Sequence, residues 1–146
     1  MSLESLRKLR AQTVESLMME LAKITRALAR SEERYRDIET QIQKDVAVYD
    51  RQSAQGLTIE AWWEWQGSMD SQQAALRQAR LEIDQAVEAW RHTKALLVEA
   101  SQERKLLDRV ADKRRETQRA EAGRQEQRTT DEAASRRYSA RKDSNP

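Results

Sequence analysis

Cysteine and phenylalanine are absent from the 146 residues, glycine appears three times, and the single proline is the last residue. Without cysteine there is no disulfide framework, no thiolate metal site and no thiol nucleophile, a composition compatible with a reducing cytoplasm. No apolar run approaches the length of a membrane span, and the first residues lack the apolar stretch of a secretory signal. The chain is therefore expected to stay in the compartment where it is made. Apolar material is scarce too: 38% of residues are hydrophobic and 36% charged, less core than a globular domain normally holds. That leaves disorder, or long helices that bury only a narrow seam. What is plentiful (Ala, Leu, Glu, Gln, Arg and Lys) consists of strong helix formers, and favours the second.

Net charge is +2, unevenly spread. Residues 1–52 hold 10 basic and 9 acidic side chains, 53–107 hold 6 and 8, and 108–146 hold 11 and 8. Mixed charges of this kind mostly solvate exposed helix faces.

In the first third, apolar residues recur at alternating steps of three and four. One row is Val14, Leu21, Leu28, Tyr35, Ile42 and Tyr49; its companion is Leu17, Ile24, Ser31, Ile38 and Asp45. Leu3 and Leu6 extend the helix upstream less regularly. The pattern stops near Asp50, and Gln52–Thr58 reads as a turn. Gly56 suits the left-handed residue that ends a helix, Thr58 suits an N-cap, and Leu57 with Trp62 falls at the positions of a hydrophobic staple. Beyond it one row holds Trp62, Met69, Leu76, Ile83, Trp90 and Leu97, and a weaker one Trp65, Gln72, Ala79, Ala86, Thr93 and Ala100. Small residues in the weaker row let two backbones approach closely.

Folding the chain at the turn pairs Tyr49 with Trp62, Ile42 with Met69, Tyr35 with Leu76, Leu28 with Ile83, Leu21 with Trp90 and Val14 with Leu97, all with position numbers summing to 111. Half of that sum falls inside the turn, because facing positions in an antiparallel pair keep a constant sum. The expected fold is all-α: a long antiparallel two-helix coiled coil with a C-terminal helical overhang. Its parts are helix 1 over 1–52, a turn over 53–57, helix 2 over 58–110, and a polar arm over 111–146, helical and then frayed. Leu107 is expected to meet the region of Leu3 and Leu6. If helical to about residue 137, the arm extends roughly 40 Å past the paired body. A lone polar helix of that length is marginal in isolation and is expected to order against a partner.

No catalytic constellation is present. His92, the only histidine, lies two residues after Trp90, off the seam, and reads as a solvated side chain rather than a general base. The carboxylates sit among basic neighbours with no pocket to perturb them. No phosphate loop or metal spacing occurs, so neither enzyme activity nor a cofactor is expected. Trp62, Trp63, Trp65 and Met69 open helix 2. Trp62 belongs to the seam by its row. Trp63 and Trp65 cannot both share that face, since consecutive helical positions diverge by about 100°. At least one exposed indole is expected near the turn, as a partner anchor or as local packing. In the arm, Arg114, Arg115, Arg119, Arg124 and Arg128 alternate with Asp112, Glu116, Glu121, Glu126 and Asp131. That near balance argues against nucleic-acid binding, which needs a stronger positive bias, and fits a charged protein cavity or partner helix.

Several local sequences resemble the FliJ family: Gly56-Leu57-Thr58 followed by Trp62, then Trp90 with Lys94, Lys105-Leu-Leu-Asp108, Lys113-Arg-Arg115, and Glu126-Gln-Arg-Thr-Thr-Asp131-Glu132-Ala133-Ala134. The resemblance spans nearly the whole chain, with the turn and the Asp131-Glu132 ending its most specific parts. It departs from the family in a shorter turn and in a tip rich in tryptophan where relatives carry tyrosine or phenylalanine. The resemblance implies a cytoplasmic, non-enzymatic stalk of the flagellar type III export apparatus, similar to the central stalk of rotary ATPases. Its paired terminal ends would enter the hexamer of the export ATPase (FliI-like) and promote its assembly and activity. Its hairpin tip would contact the export gate protein (FlhA-like), and export chaperones are further partners. Membrane association, at the flagellar base, would come only through the apparatus. By position, the ring-facing residues would be Leu3, Leu6, Leu107, Arg114, Arg115 and Arg119, and the gate-facing residues Tyr49, Trp62, Trp63, Trp65 and Met69. The YscO-type stalk of a virulence-type secretion system shares this architecture and stands beside the flagellar reading. A generic coiled-coil scaffold that self-associates through the arm, and an RNA-binding arm, are the alternatives of other classes.

Overall fold

A computed structural model of the chain describes residues 2–143. They form two helices, α1 (Leu3–Gln55) and α2 (Ile59–Asp143), with no strand among the described residues. The chain is an antiparallel α-helical hairpin coiled coil. By contact density it divides into two units, one formed by Gln12–Ala100 and the other by the flanking parts of both helices.

Each helix begins on a side-chain cap. The Ser2 hydroxyl accepts a hydrogen bond from the Ser5 backbone N–H at 3.2 Å, and the Thr58 hydroxyl accepts one from Ala61 at 3.1 Å. Each cap satisfies a backbone donor that the first turn leaves open. Glu4 and Glu60 add negative charge where the helix dipole favours it. Between the helices, Gly56 takes φ +99°, a left-handed conformation that favours glycine. Its N–H reaches the Ser53 carbonyl at 3.2 Å and closes the end of α1.

Within the unit Gln12–Ala100, both rows of α1 face inward: Val14 is 6% exposed, and every other member from Leu17 to Tyr49 is half-buried. In α2 the row of small residues is the more deeply covered. Ala79 is 0% exposed, Ala100 6% and Thr93 7%, while Leu76, Ile83, Trp90 and Leu97 of the larger row are half-buried. From Ala79 to Ala100 the small side chains of this row leave room for the larger residues of the opposite helix, whereas at the tip the row holds Trp65.

The register differs from the sequence expectation. Tyr49 stacks on Trp65, so facing position numbers sum to 114 rather than 111. The cause is the turn. Gln52, Ser53, Ala54 and Gln55 continue α1, because they are polar but helix-compatible, and only Gly56, Leu57 and Thr58 lie between the helices. The last residue of α1 and the first of α2 also sum to 114, so the stack and the turn agree. Trp62, assigned to the seam by its row, is consequently 39% exposed, and Trp65 takes the inward place.

In the flanking unit, Leu3, Leu6 and Leu107 are half-buried and Ala111, 6% exposed, is the last buried residue of α2. The seam positions one heptad before Val14 and Leu17 are Arg7 and Arg10, and cross-helix ion pairs replace apolar contacts there. Arg7 binds Asp108 at 3.1 Å and Glu4 at 3.2 Å, and Arg10 binds Glu103 at 2.9 Å. From Asp112 to Asp143 every residue is exposed, yet the helix is unbroken. Helix formers dominate this stretch, and Arg141 and Lys142 place positive charge in the last turn.

Candidate partner-binding surfaces

Two surfaces hold the residues singled out by sequence. The first is the hairpin tip. Tyr49 and Trp65 stack with ring centroids 3.9 Å apart and planes 24° from parallel. Met69 is 8% exposed below them. Trp62 and Trp63 meet edge to face at 5.1 Å and stay 39% and 63% exposed, with Ile59 at 74%. The five tip residues thus separate into an inner group, Tyr49, Trp65 and Met69, and an outer pair of indoles. The consecutive-residue argument anticipated an exposed indole. It did not anticipate two, because the seam place of Trp62 passes to Trp65.

Beside the stack lies an open groove of about 420 Å³ between α1 and α2, with Asp45, Tyr49, Glu64, Trp65 and Gln72 among its walls. Asp45, the charged member of the α1 seam, is held from both sides. Gln41 Nε2 donates to its Oδ1 at 2.9 Å, and Gln72 Nε2 donates to its Oδ2. Two polar atoms here are buried without a hydrogen-bond partner, Gln72 Oε1 and Trp65 Nε1. Each such group costs about 1–3 kcal/mol relative to a satisfied one. Sequence reasoning passed over this groove. Its only signal was a carboxylate and an amide occupying seam positions, Asp45 and Gln72.

The second surface belongs to the flanking unit. Leu3, Leu6 and Leu107 contribute to its short apolar seam, while Arg114, Arg115 and Arg119 are exposed on the unpaired helix. Arg115 pairs with Asp112 at 3.2 Å, an exposed contact of the kind that contributes little. Arg114 and Arg119 hold no ion pair among the described residues. Arg7 and Arg10 were missed by sequence reasoning, although carrying the α1 rows back one heptad lands on both. The hydrogen bond that Arg7 donates to the Asp108 carboxylate is the main cause that raises its guanidinium above the ordinary pKa, with the charges of Glu4 and Asp108 adding to it.

His92 is exposed. Among the described residues no group of histidines and carboxylates is arranged to hold a metal ion, and no helix is long and apolar enough to cross a membrane. Two helices zipped along a narrow seam, with an aromatic tip and an unpaired polar stretch, define a coiled-coil protein that presents long helical faces to other molecules. The chain belongs to the flagellar FliJ family: the family described as Flagellar FliJ protein matches residues 1–143. It is a component of the flagellar type III protein export apparatus, from a family of non-enzymatic export components. No curated protein and no solved structure matches the chain significantly.

Proposed function

We propose that the chain is the stalk of the export apparatus, engaging and activating the hexameric export ATPase through its flanking unit and the export gate protein through its hairpin tip. The observation that carries this reading is the stretch Asp112–Asp143, helical throughout and exposed at every residue. A polar helix that buries nothing in its own chain is marginal in water, and the interior of a ring supplies the contacts it lacks. In this reading Leu3, Leu6 and Leu107 fix the base of the inserted element, and Arg114, Arg115 and Arg119 meet carboxylates of the ring. An asymmetric helix inside a ring favours the subunit arrangement with which it makes more contacts, and so shifts the ring's equilibrium. Tyr49, Trp65 and Met69 hold the tip rigid for the gate, and Trp62 and Trp63 supply the anchoring surface. Export chaperones are further partners of the same apparatus. The stalk reaches the inner membrane at the flagellar base only through it.

The test measures turnover and hexamer fraction of the cognate export ATPase with the full chain and with a chain ending at residue 111. Stimulation by the full chain that disappears on truncation supports the stalk reading. Equal stimulation by both forms sinks the assignment of the arm, and no stimulation or binding at low salt sinks the stalk reading.

A further inference from the structure

The flanking unit carries more apolar surface than its own seam covers. Leu9 is 46% exposed, Leu106 60% and Val110 37%, in a stretch whose other exposed side chains are mostly charged or polar. Arg10 and Glu103 form their ion pair on one flank of the paired helices. Residues three and four apart share a helix face, so Leu6 and Leu9 of α1 and Leu106 and Val110 of α2 lie on that same flank. An open groove of about 450 Å³ runs beside Leu106 and Val110, with Lys113 among its walls.

Along α2 this face reads Glu103, Leu106, Val110 and Lys113, at steps of three, four and three. Read backwards, the order is its own complement. Two copies laid antiparallel, with facing numbers summing to 216, set Leu106 on Val110 twice and Glu103 against Lys113 twice. Such a two-fold pairing is self-complementary, each contact being made once by either chain. Lys113 holds no ion pair among the described residues, and Glu103, at 41% exposed, has room for a second cation beside Arg10.

The first helix supplies an independent check. In this unit Arg7 meets Asp108 and Arg10 meets Glu103, which centres the facing numbers on 114. The two-fold axis of the α2 pairing passes position 108, and position 6 of α1 is level with it. The same axis therefore brings Leu6 onto its own copy and Leu9 onto Leu3 of the other chain. Nothing in the α2 pattern requires leucines at those places. The one like-charge meeting, Arg109 with its own copy, falls at the outer edge, where water and salt screen it.

We propose that the flanking unit pairs antiparallel with a second copy of this chain, closing a four-helix bundle over Leu6, Leu9, Leu106 and Val110. An unrelated partner helix would account for the apolar face. It would not account for flanking charges that repeat in reverse, nor for the α1 leucines that share their axis. The interface is short, so the pair is weak, with a Kd on the order of 10–100 µM. This pairing goes beyond the stalk reading and stands or falls without it.

Sedimentation equilibrium of the full chain over about 5–500 µM should show the apparent mass rising from 17.0 kDa towards twice that. Leu106→Asp changes an exposed side chain. It should keep the circular dichroism spectrum and weaken the pairing about tenfold. The charges test the direction of pairing. Lys113→Glu and Glu103→Lys should each self-associate poorly and pair with each other when mixed. Because the chain has no cysteine, Leu6→Cys tests the axis. It should form a disulfide-linked dimer on mild oxidation at least about tenfold faster than Met19→Cys, exposed in the other unit. A mass of 17.0 kDa at every concentration overturns the proposal. So does a dimer that Leu106→Asp leaves intact and Leu6→Cys fails to link, since the copies then meet elsewhere, as through the unpaired stretch. Folded charge variants that ignore each other in the mixture overturn it as well.

Discussion

The ring of Tyr49 lies 3.9 Å from the indole of Trp65, centroid to centroid, and this contact joins the last heptad of α1 to the second turn of α2. It sets the register of the hairpin at the tip and forms one wall of the groove there. Trp65→Ala is therefore expected to lower the unfolding free energy by about 2–3 kcal/mol. Trp63→Ala, at a side chain 63% exposed, should change it by no more than about 0.5 kcal/mol. Urea unfolding followed by far-ultraviolet circular dichroism separates the two. Similar losses in both variants would mean that the stack does not hold the tip.

Close approach of the backbones makes the small row of α2 intolerant of bulk. Ala79, 0% exposed, should cost about 1–3 kcal/mol when replaced by leucine. Ala74→Leu, on the exposed face, should be neutral in the same assay. A silent Ala79→Leu would argue that the helices separate freely at that level.

Ion pairs take over where the apolar seam ends. A double-mutant cycle on Arg10 and Glu103, 2.9 Å apart and each 41% exposed, should return a coupling of about 0.2–1 kcal/mol. That coupling should shrink in 1 M salt, where the Debye length is about 3 Å. At Arg7 the folded pKa is raised, chiefly by the hydrogen bond it donates to Asp108. A raised pKa gives stability that is complete below the unfolded value and lost only as pH rises through the folded one. The Arg7 charge should therefore add no pH dependence to unfolding between pH 6 and pH 9. A slope in that window that vanishes in Arg7→Gln would contradict this.

Gly123 sits inside α2 with nothing within 4 Å of where a Cβ would stand. Gly123→Ala should strengthen the local helix by about 1 kcal/mol. Slower amide exchange around position 123, with an unchanged melting midpoint for the paired helices, is the expected pattern. Unchanged exchange would mean that the stretch is not helical in solution.

If the unpaired stretch meets carboxylates of the ATPase ring, reversing Arg114 and Arg119 together to glutamate should abolish stimulation of turnover. It should leave the circular dichroism spectrum intact, since both side chains are exposed. Full stimulation by this variant would move the contact elsewhere on the flanking unit.

Both α1 rows were legible because heptad spacing is a direct consequence of helix geometry, and every member from Val14 to Tyr49 is covered. Gly56 and Thr58 were legible because each performs a backbone task that few residues can. The register was harder to read. Gln52 to Gln55 carry no apolar pattern, so nothing in them marks which side of the turn they join, and the shift from 111 to 114 follows from that ambiguity. The same shift exchanges Trp62 for Trp65, which is why the aromatic cluster was visible in sequence but its division into inner and outer rings was not. Arg7 and Arg10 escaped notice because a charge at a seam position reads as the end of a seam until its partner, over 90 residues away, is in view.

The connection of only Gly56, Leu57 and Thr58 has a consequence for how such a chain can change in length over evolution. With so little slack, neither helix can slide past the other. Seven residues gained in α1 between Gln12 and Tyr49 would leave a heptad of hydrophobic side chains facing nothing unless seven were gained opposite them in α2. Insertions and deletions in this part of the gene are therefore expected as matched pairs, mirrored about the codon for Leu57.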